Sequence, residues 1–229
     1  MRHVLLIALG IALVALPVSA QTPEGGKNQI VTTGMGRVEA EPNQAVVTVG
    51  VQVQRSTAAA ASTEAARVAD QILSRLQQIG IRRADIRTSG LQLSPVYSAP
   101  RDGTPAIVAY RATYTLTITL TDLKLVGQAL DESVKAGANT IAGITFGLRD
   151  ASAARRDALT MAVREAREKA DVIARAAGLQ IRGVERIVEE GVDIQVRALE
   201  RAVPSPAVPT PIEPGTVSVI ARVTAVFNF

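Results

Sequence analysis

The side chains able to do chemistry in this chain are few in kind. His3 is the sole histidine, and cysteine and tryptophan are missing altogether. Past residue 20 there is no histidine to activate a serine, no thiol for redox work and no His or Cys to ligate zinc. Carboxylates, arginine, lysine, tyrosine and hydroxyls remain. Two adjacent acid pairs stand out, Asp131-Glu132 and Glu189-Glu190. Acid–base work on one bond needs two carboxyls that converge on it. Neighbours on a strand point to opposite faces, and neighbours on a helix diverge by about 100°, so neither pair is expected to work as a dyad. Arg82, Arg83 and Arg87 cluster at a helix-to-strand turn and read as solvated surface rather than an anion site. Gly34-Met35-Gly36-Arg37 lacks the third glycine and the following helix of a dinucleotide loop. No catalytic, cofactor-binding or metal-ligating residue is assigned, and carboxylate-dependent hydrolysis stands only as the weaker alternative.

The elements around these residues follow from hydrophobic period. Ile30 to Ala40 reads as a strand that Gly34 and Gly36 loosen, as at a bulge or close backbone approach. Val47, Val49, Val51 and Val53 alternate with polar residues, the pattern of a half-buried strand. Glu41-Pro42-Asn43-Gln44 between the two predicts a tight hairpin. A first helix carries Ala61, Ala65, Val68, Ile72, Leu76 and Ile79 at spacings of three and four, is capped by Ser56 or Thr57, and stops at Gly80. Strands follow at 86–97 and 110–120. The second has Tyr110, Ala112, Tyr114, Leu116, Ile118 and Leu120 on one face and mainly threonine on the other, either a solvated face or a subunit contact. A short helix with Val126, Ala129, Leu130 and Val134 inward ends at Gly137, and a strand covers 141–148. The longest helix runs to about Ala177 with Leu159, Val163, Ala166, Ala170, Ile173 and Ala177 as its stripe, and Gly178 ends it. A strand at 184–190 and a last one at 216–229 flank a proline-rich stretch, 191–215, read as a loop, with partner docking or strand exchange between copies as its functional readings.

The helix–glycine–hairpin order of 55–120 recurs over 149–229. It predicts an α+β fold: a mixed, largely antiparallel sheet with helices packed on one face, built from two β-α-β-β units joined by the short helix. The expected organisation is a signal peptide at 1–20, from its basic start, apolar run and Val18-x-Ala20 site, and a single domain at 21–229 with extended hairpin loops at 98–106 and 191–215. No apolar run of 18 residues follows, so no transmembrane segment is expected in the mature chain. A net charge of +4 carries no polyanion signature and no nucleic-acid partner is expected. The C-terminal Phe227 and Phe229 look like the end of an outer-membrane barrel, but such barrels need eight or more strands without intervening helices.

Five segments in order carry a family resemblance: GMGRVEAEPNQAVVTVGV from 34, DIRTSGLQLSPVY at 85–97, YRATYTLTITLTDL from 110, AGANTIAGITF at 136–146 and AREKADVIARAAGL from 166. Together they resemble the SIMPL-domain family of bacterial YggE-like proteins, over essentially the whole mature chain. The family's usual Asp after the hairpin proline is Asn43 here, and either suits the turn. The resemblance implies a periplasmic or outer-membrane-associated protein, known in pathogens as a surface antigen and linked to oxidative-stress defence, with no agreed catalytic site and no cofactor. The expected partners are further copies of the chain and an envelope protein. Any protection from oxidants would have to do without a thiol, since only Met35 and Met161 remain as oxidisable sulfurs.

Overall fold

The computed structural model describes residues 28–98, 105–197 and 212–229. The expected signal peptide, the tip of the first hairpin loop and most of the proline-rich stretch lie outside the described residues. Seven strands and three helices follow in the order β1 (Gln29–Ala40), β2 (Gln44–Arg55), α1 (Ala58–Gln78), β3 (Ile86–Tyr97), β4 (Ile107–Leu120), α2 (Leu125–Lys135), β5 (Thr140–Gly147), α3 (Ser152–Ala176), β6 (Gly183–Arg197) and β7 (Thr216–Asn228).

The class is α+β, as expected, but the strands form two sheets rather than one mixed sheet. The first has the order β1-β7-β6 and the second β3-β4-β2-β5, and every pairing in them is antiparallel. The tight hairpin expected between β1 and β2 does not form. β2 has both of its edges taken, by β4 and β5, while β1 pairs with β7. Residues 41–43 therefore carry the chain from one sheet to the other. Asn43 pins that crossing: its N–H donates to the Gly147 carbonyl at 3.0 Å, and its side-chain oxygen accepts the Arg149 N–H at 2.7 Å.

Two strand–helix–hairpin units are present, though one is assembled from different strands than expected. In one, β2, α1, β3 and β4 follow one another. In the other, α3 and the β6–β7 hairpin are completed by β1, from the far end of the chain, and β5 joins the other sheet. The reason lies in side-chain size. The buried seam of α3 is Ala158, Ala162, Ala166, Ala170 and Ala174, a row spaced by four and at most 2% exposed. The larger residues of the expected stripe lie beside it, and Ile173 is exposed. A helix with an alanine seam can approach a strand only where that strand also lacks side chains. Gly34 and Gly36 supply this on β1. A Cβ at either would stand 1.9 Å from a carbonyl oxygen of α3, Ala162 O and Ala158 O respectively. These glycines are the seat of a helix rather than a bulge.

The second core gathers Val47, Val49, Val51, Leu116 and Ile118 under Ala61, Ala65, Ile72 and Leu76 of α1 and Val126 and Ala129 of α2. Thr57 caps α1, its hydroxyl accepting from the Ala60 N–H at 3.2 Å. In α2 the buried residue near the end is Ser133, bonded to the Ala129 carbonyl at 2.6 Å, and Val134 points outward instead. Gly80, Gly137 and Gly178 follow the three helices at φ of 90°, 106° and 70°, the left-handed turn that glycine adopts without steric cost. β6 runs to Arg197, so the first seven residues of the expected loop at 191–215 are strand. Gly191, at φ 125°, absorbs a register shift and the ladder continues. Ser98 and Ala106 close the base of the other hairpin loop through a 2.8 Å backbone bond.

Candidate functional site

The residues singled out for chemistry do not converge. Glu132 pairs with Lys135 of its own helix at 2.8 Å and with Arg75 of α1 at 3.9 Å. The Lys135 hydrogen bond holds its carboxyl below the ordinary value. Glu189 pairs across from Val223 on the α3 side of its sheet, whereas Glu190 accepts a hydrogen bond from the Thr224 hydroxyl. Arg82 is engaged by Asp85 at 2.7 Å, Arg83 donates to the Ile86 carbonyl, and Arg87 extends outward from β3. Among the described residues, every carboxyl group displaced from its ordinary pKa is displaced downward, each by a hydrogen bond or a cation: Glu64, Asp85, Glu132, Asp150 and Glu165. A general acid needs the opposite shift. No group of three or more His, Cys, Asp or Glu is placed to hold a metal ion among the described residues.

Open clefts lie on the helices, and two of them exceed 500 Å³ among the described residues. One, of about 560 Å³ between α1 and α2, is lined by Arg67, Asp70, Gln71, Ser74, Arg75 and Lys135 among others. Its cations are largely spent on Glu64 and Glu132. The other, of about 610 Å³, lies between β1 and α3, with Val31, Val172 and Ile173 as its apolar wall.

The edge of the first sheet beside that groove is guarded. In β1 the even-numbered residues exchange backbone bonds with β7, a parity that the Phe229 N–H to Asn28 carbonyl bond of 3.1 Å sets at one end. The odd-numbered ones face outward. Two of these outward groups are taken by an ion pair on α3: Lys169 donates to the Thr33 carbonyl at 3.0 Å and Glu165 accepts the Met35 N–H. The pair itself is closed at 3.1 Å. Thr32 adds a buried bond to the Ala166 carbonyl at 2.7 Å. An exposed edge strand is a template for further pairing, and covering it is how folded proteins prevent this.

The opposite edges carry no helix. β6 is 15 residues long and leaves Val184, Ile187, Val188, Ile194 and Val196 exposed. β3 leaves Leu91, Leu93 and Tyr97 exposed, joined by Ile107 and Val108 of β4. These strands carry ten of the seventeen large apolar residues exposed among the described residues; Val31, Val172 and Ile173 of the β1–α3 groove are among the rest. Sequence reasoning named the loops beyond them and missed the strands, because alternation looks the same whether or not a helix covers the face. The threonine face of β4 is half-covered, with Thr117 buried. Phe227 is a core residue, 2% exposed, with the Arg167 guanidinium 5.5 Å from its ring centre.

Comparison with known proteins points one way. Residues 30–227 match the family SIMPL, described as a protein of unknown function (DUF541). The 26 kDa periplasmic immunogenic protein of Brucella melitensis is 33% identical over 165 residues, 70% of this chain and 65% of that protein. The uncharacterized protein YggE of Edwardsiella ictaluri is 30% identical over 163 residues, 71% of this chain and 67% of its own length. Its namesake in Escherichia coli K12 is 32% identical over 162 residues, 69% and 65% of the two chains. The chain thus spans 65% of the length of the Brucella relative and 65–67% of the two YggE proteins.

Proposed function

The chain belongs to the SIMPL family, and from that premise we propose that it is a non-enzymatic, exported envelope protein that acts by associating with further copies of itself. The periplasm is the expected compartment. The Brucella relative carries that location in its name, and the basic, apolar, small-residue start of this chain reads as an export leader. The observation that carries self-association is β6, a long unpartnered edge strand with five exposed aliphatic side chains. Because α3 guards the β1 edge, pairing through β6 leaves that edge closed. A part in oxidative-stress defence fits this reading only as an indirect one: Met35 and Met161 are half-exposed thioethers at 50% and 47%, too few to scavenge.

Light scattering and native mass measurement on the exported protein test the proposal. A defined assembly is expected at micromolar concentration, and Val188→Lys together with Val196→Lys should reduce it to smaller species that keep the parent circular dichroism spectrum. A clean monomer at that concentration overturns it. The second reading, an adaptor for an envelope partner, rests on the exposed β3–β4 residues. It predicts a monomer that captures its partner through them.

A further inference from the structure

The outer strands of the two sheets differ in what they can accept. They are β1 and β6 in one sheet and β3 and β5 in the other. β1 is closed by Glu165 and Lys169. β3 carries Pro95, which has no N–H to offer, and its register slips at Ser89. β5 is eight residues long and slips at Ala142. Prolines, bulges and short length are how folded proteins make an edge unfit for pairing. β6 is the longest of the four and has no proline. It slips twice, at Glu185 and at Glu190, so a straight strand cannot follow it. A second β6, run antiparallel about Val188, can. It sets Glu190 opposite Arg186 and Gly191 opposite Glu185, so the extra residue of each strand falls at the level of the other's.

Backbone and side chains both match in that arrangement. β7 bonds β1 through its odd-numbered residues, so its even-numbered ones bond β6: Val226 holds Arg186, Thr224 holds Val188 and Arg222 holds Gly191. The backbone groups of Val184, Ile187, Glu189 and Val192 are left pointing outward. A two-fold axis at Val188 brings Ile187 to Glu189 and Val184 to Val192, outward group to outward group. Arg186, Val188 and Glu190 share the sheet face away from α3, the first two beside Val226 and Thr224 and the third accepting the Thr224 hydroxyl. Arg186 is exposed and, among the described residues, in no ion pair. The axis sets it against Glu190 of the second copy, twice, and opposite charges directly across a strand pair are stabilising. Val188 meets its own twin, and Val184 meets Val192 on the α3 side. Glu189 is the one like-charge neighbour near the axis, opposite Ile187 and diagonal to Glu189 of the second copy.

We propose that β6 pairs with β6 of a second copy, antiparallel about Val188, with Arg186 and Glu190 as reciprocal ion pairs. This rests on the self-association proposed above and adds the partner strand, its direction and its register. The contact is isologous, the same patch on both chains. It makes one sheet of six strands, β1-β7-β6-β6-β7-β1, whose outer edges are both closed by Glu165 and Lys169, so growth through this sheet stops at two chains. The far end of β6 stays out of the contact: Val196 pairs with Val217, itself beside Ala40, where the chain crosses to the other sheet.

The chain has no cysteine, so Val188→Cys places a single thiol at the axis. Position 188 stands in a non-hydrogen-bonded pair, where Cα atoms lie about 4.5 Å apart, within disulfide reach. Mild oxidation of the exported Val188→Cys protein should give a cross-linked dimer on non-reducing electrophoresis, under conditions where Val172→Cys, exposed on α3, stays uncross-linked. Arg186→Glu alone and Glu190→Arg alone should each weaken association about tenfold in sedimentation equilibrium, and the two together should restore it, each variant keeping the parent circular dichroism spectrum. A monomeric parent overturns the self-association reading itself. An assembly that forms while Val188→Cys fails to cross-link, or that the double charge swap fails to restore, overturns this pairing and leaves that reading standing.

Discussion

Gly34 is the position where one methyl group tests the architecture. A Cβ there would lie 1.9 Å from the Ala162 carbonyl oxygen, 2.6 Å from the Ala166 nitrogen and 2.9 Å from the Ala166 Cβ. The two nearest are backbone atoms and cannot turn aside. Real Cβ contacts do not fall below 3.0 Å, so going from 1.9 Å to 3.0 Å, α3 must move off β1 by at least 1.1 Å. That movement stretches the Thr32 hydroxyl bond to the Ala166 carbonyl, now 2.7 Å, and the Lys169 bond to the Thr33 carbonyl, now 3.0 Å. Overpacking of this kind costs about 1–3 kcal/mol, and the buried hydrogen bond adds about 1 kcal/mol. The entropy gained by replacing a strand glycine returns about 0.5–1 kcal/mol. Gly34→Ala is therefore expected to destabilise by about 2 kcal/mol, a large share of a typical stability of about 5–15 kcal/mol. Urea unfolding of the exported protein reads this directly: with a slope of about 2 kcal/mol/M, the midpoint should fall by about 1 M. Gly147→Ala is the control, since its Cβ meets nothing within 4 Å, and its midpoint should stay or rise slightly. Equal midpoints for the two variants would refute the glycine-seat argument.

Three further outcomes follow from the same contacts. Glu165→Ala with Lys169→Ala removes both caps from the β1 edge, and light scattering should show assemblies larger than the parent's; an unchanged mass would mean that the ion pair guards nothing. Glu165 is held below its ordinary value of 4.5 by the Met35 N–H and by Lys169, so its stabilising contribution is complete above that value and is lost as pH falls through the lower, folded one. The urea midpoint should be level near neutrality and drop below the ordinary carboxylate range, with Glu165→Gln, which cannot titrate, showing a shallower drop. Asn139 bonds both backbone groups of Gln52 at 2.8 Å, accepting from its N–H and donating to its carbonyl. Asn139→Ala should cost about 1 kcal/mol and speed hydrogen exchange in β5 before the rest of its sheet.

Local structure was legible in the sequence to the extent that it rests on local causes. The three helix-ending glycines, the threonine cap of α1 and the alternation in β2, β4 and β7 each depend on residues within one turn or one strand. Partner choice does not. Glu41-Pro42-Asn43-Gln44 has the composition of a hairpin turn, yet Asn43 closes its bonds on Gly147 and Arg149, a hundred residues away. The stripe of α3 was misjudged for a related reason. Leu159, Val163 and Ile173 are the more hydrophobic residues, but a seam is chosen by fit to the opposite surface, and the opposite surface is glycine. The candidate chemistry failed because Glu132, Arg82 and Glu190 are each satisfied by a neighbour, which residue type alone does not disclose.

The glycines also determine what the fold leaves uncovered. A helix with its side chains is about 10 Å across, so it shields about 5 Å to either side of its axis. Strands in a sheet lie about 4.8 Å apart. Seated on Gly34 and Gly36, α3 sits over β1, the outer strand, rather than over β7 at the centre. β7, one strand away, falls within its cover, and Val217, Val219, Ala221, Val223, Ala225 and Phe227 are buried. β6, two strands or about 9.6 Å away, falls outside it. Ile187, Ile194 and Val196 have the alternation of core residues and none of the burial. Centring the helix would have covered both flanking strands equally and left no long apolar edge. The same small residues that let α3 approach closely, and that let Glu165 and Lys169 reach over to close the β1 edge, thereby leave β6 free. One closed edge and one open edge on a single sheet is the asymmetry that a limited assembly requires, and in this chain both come from two glycines on β1.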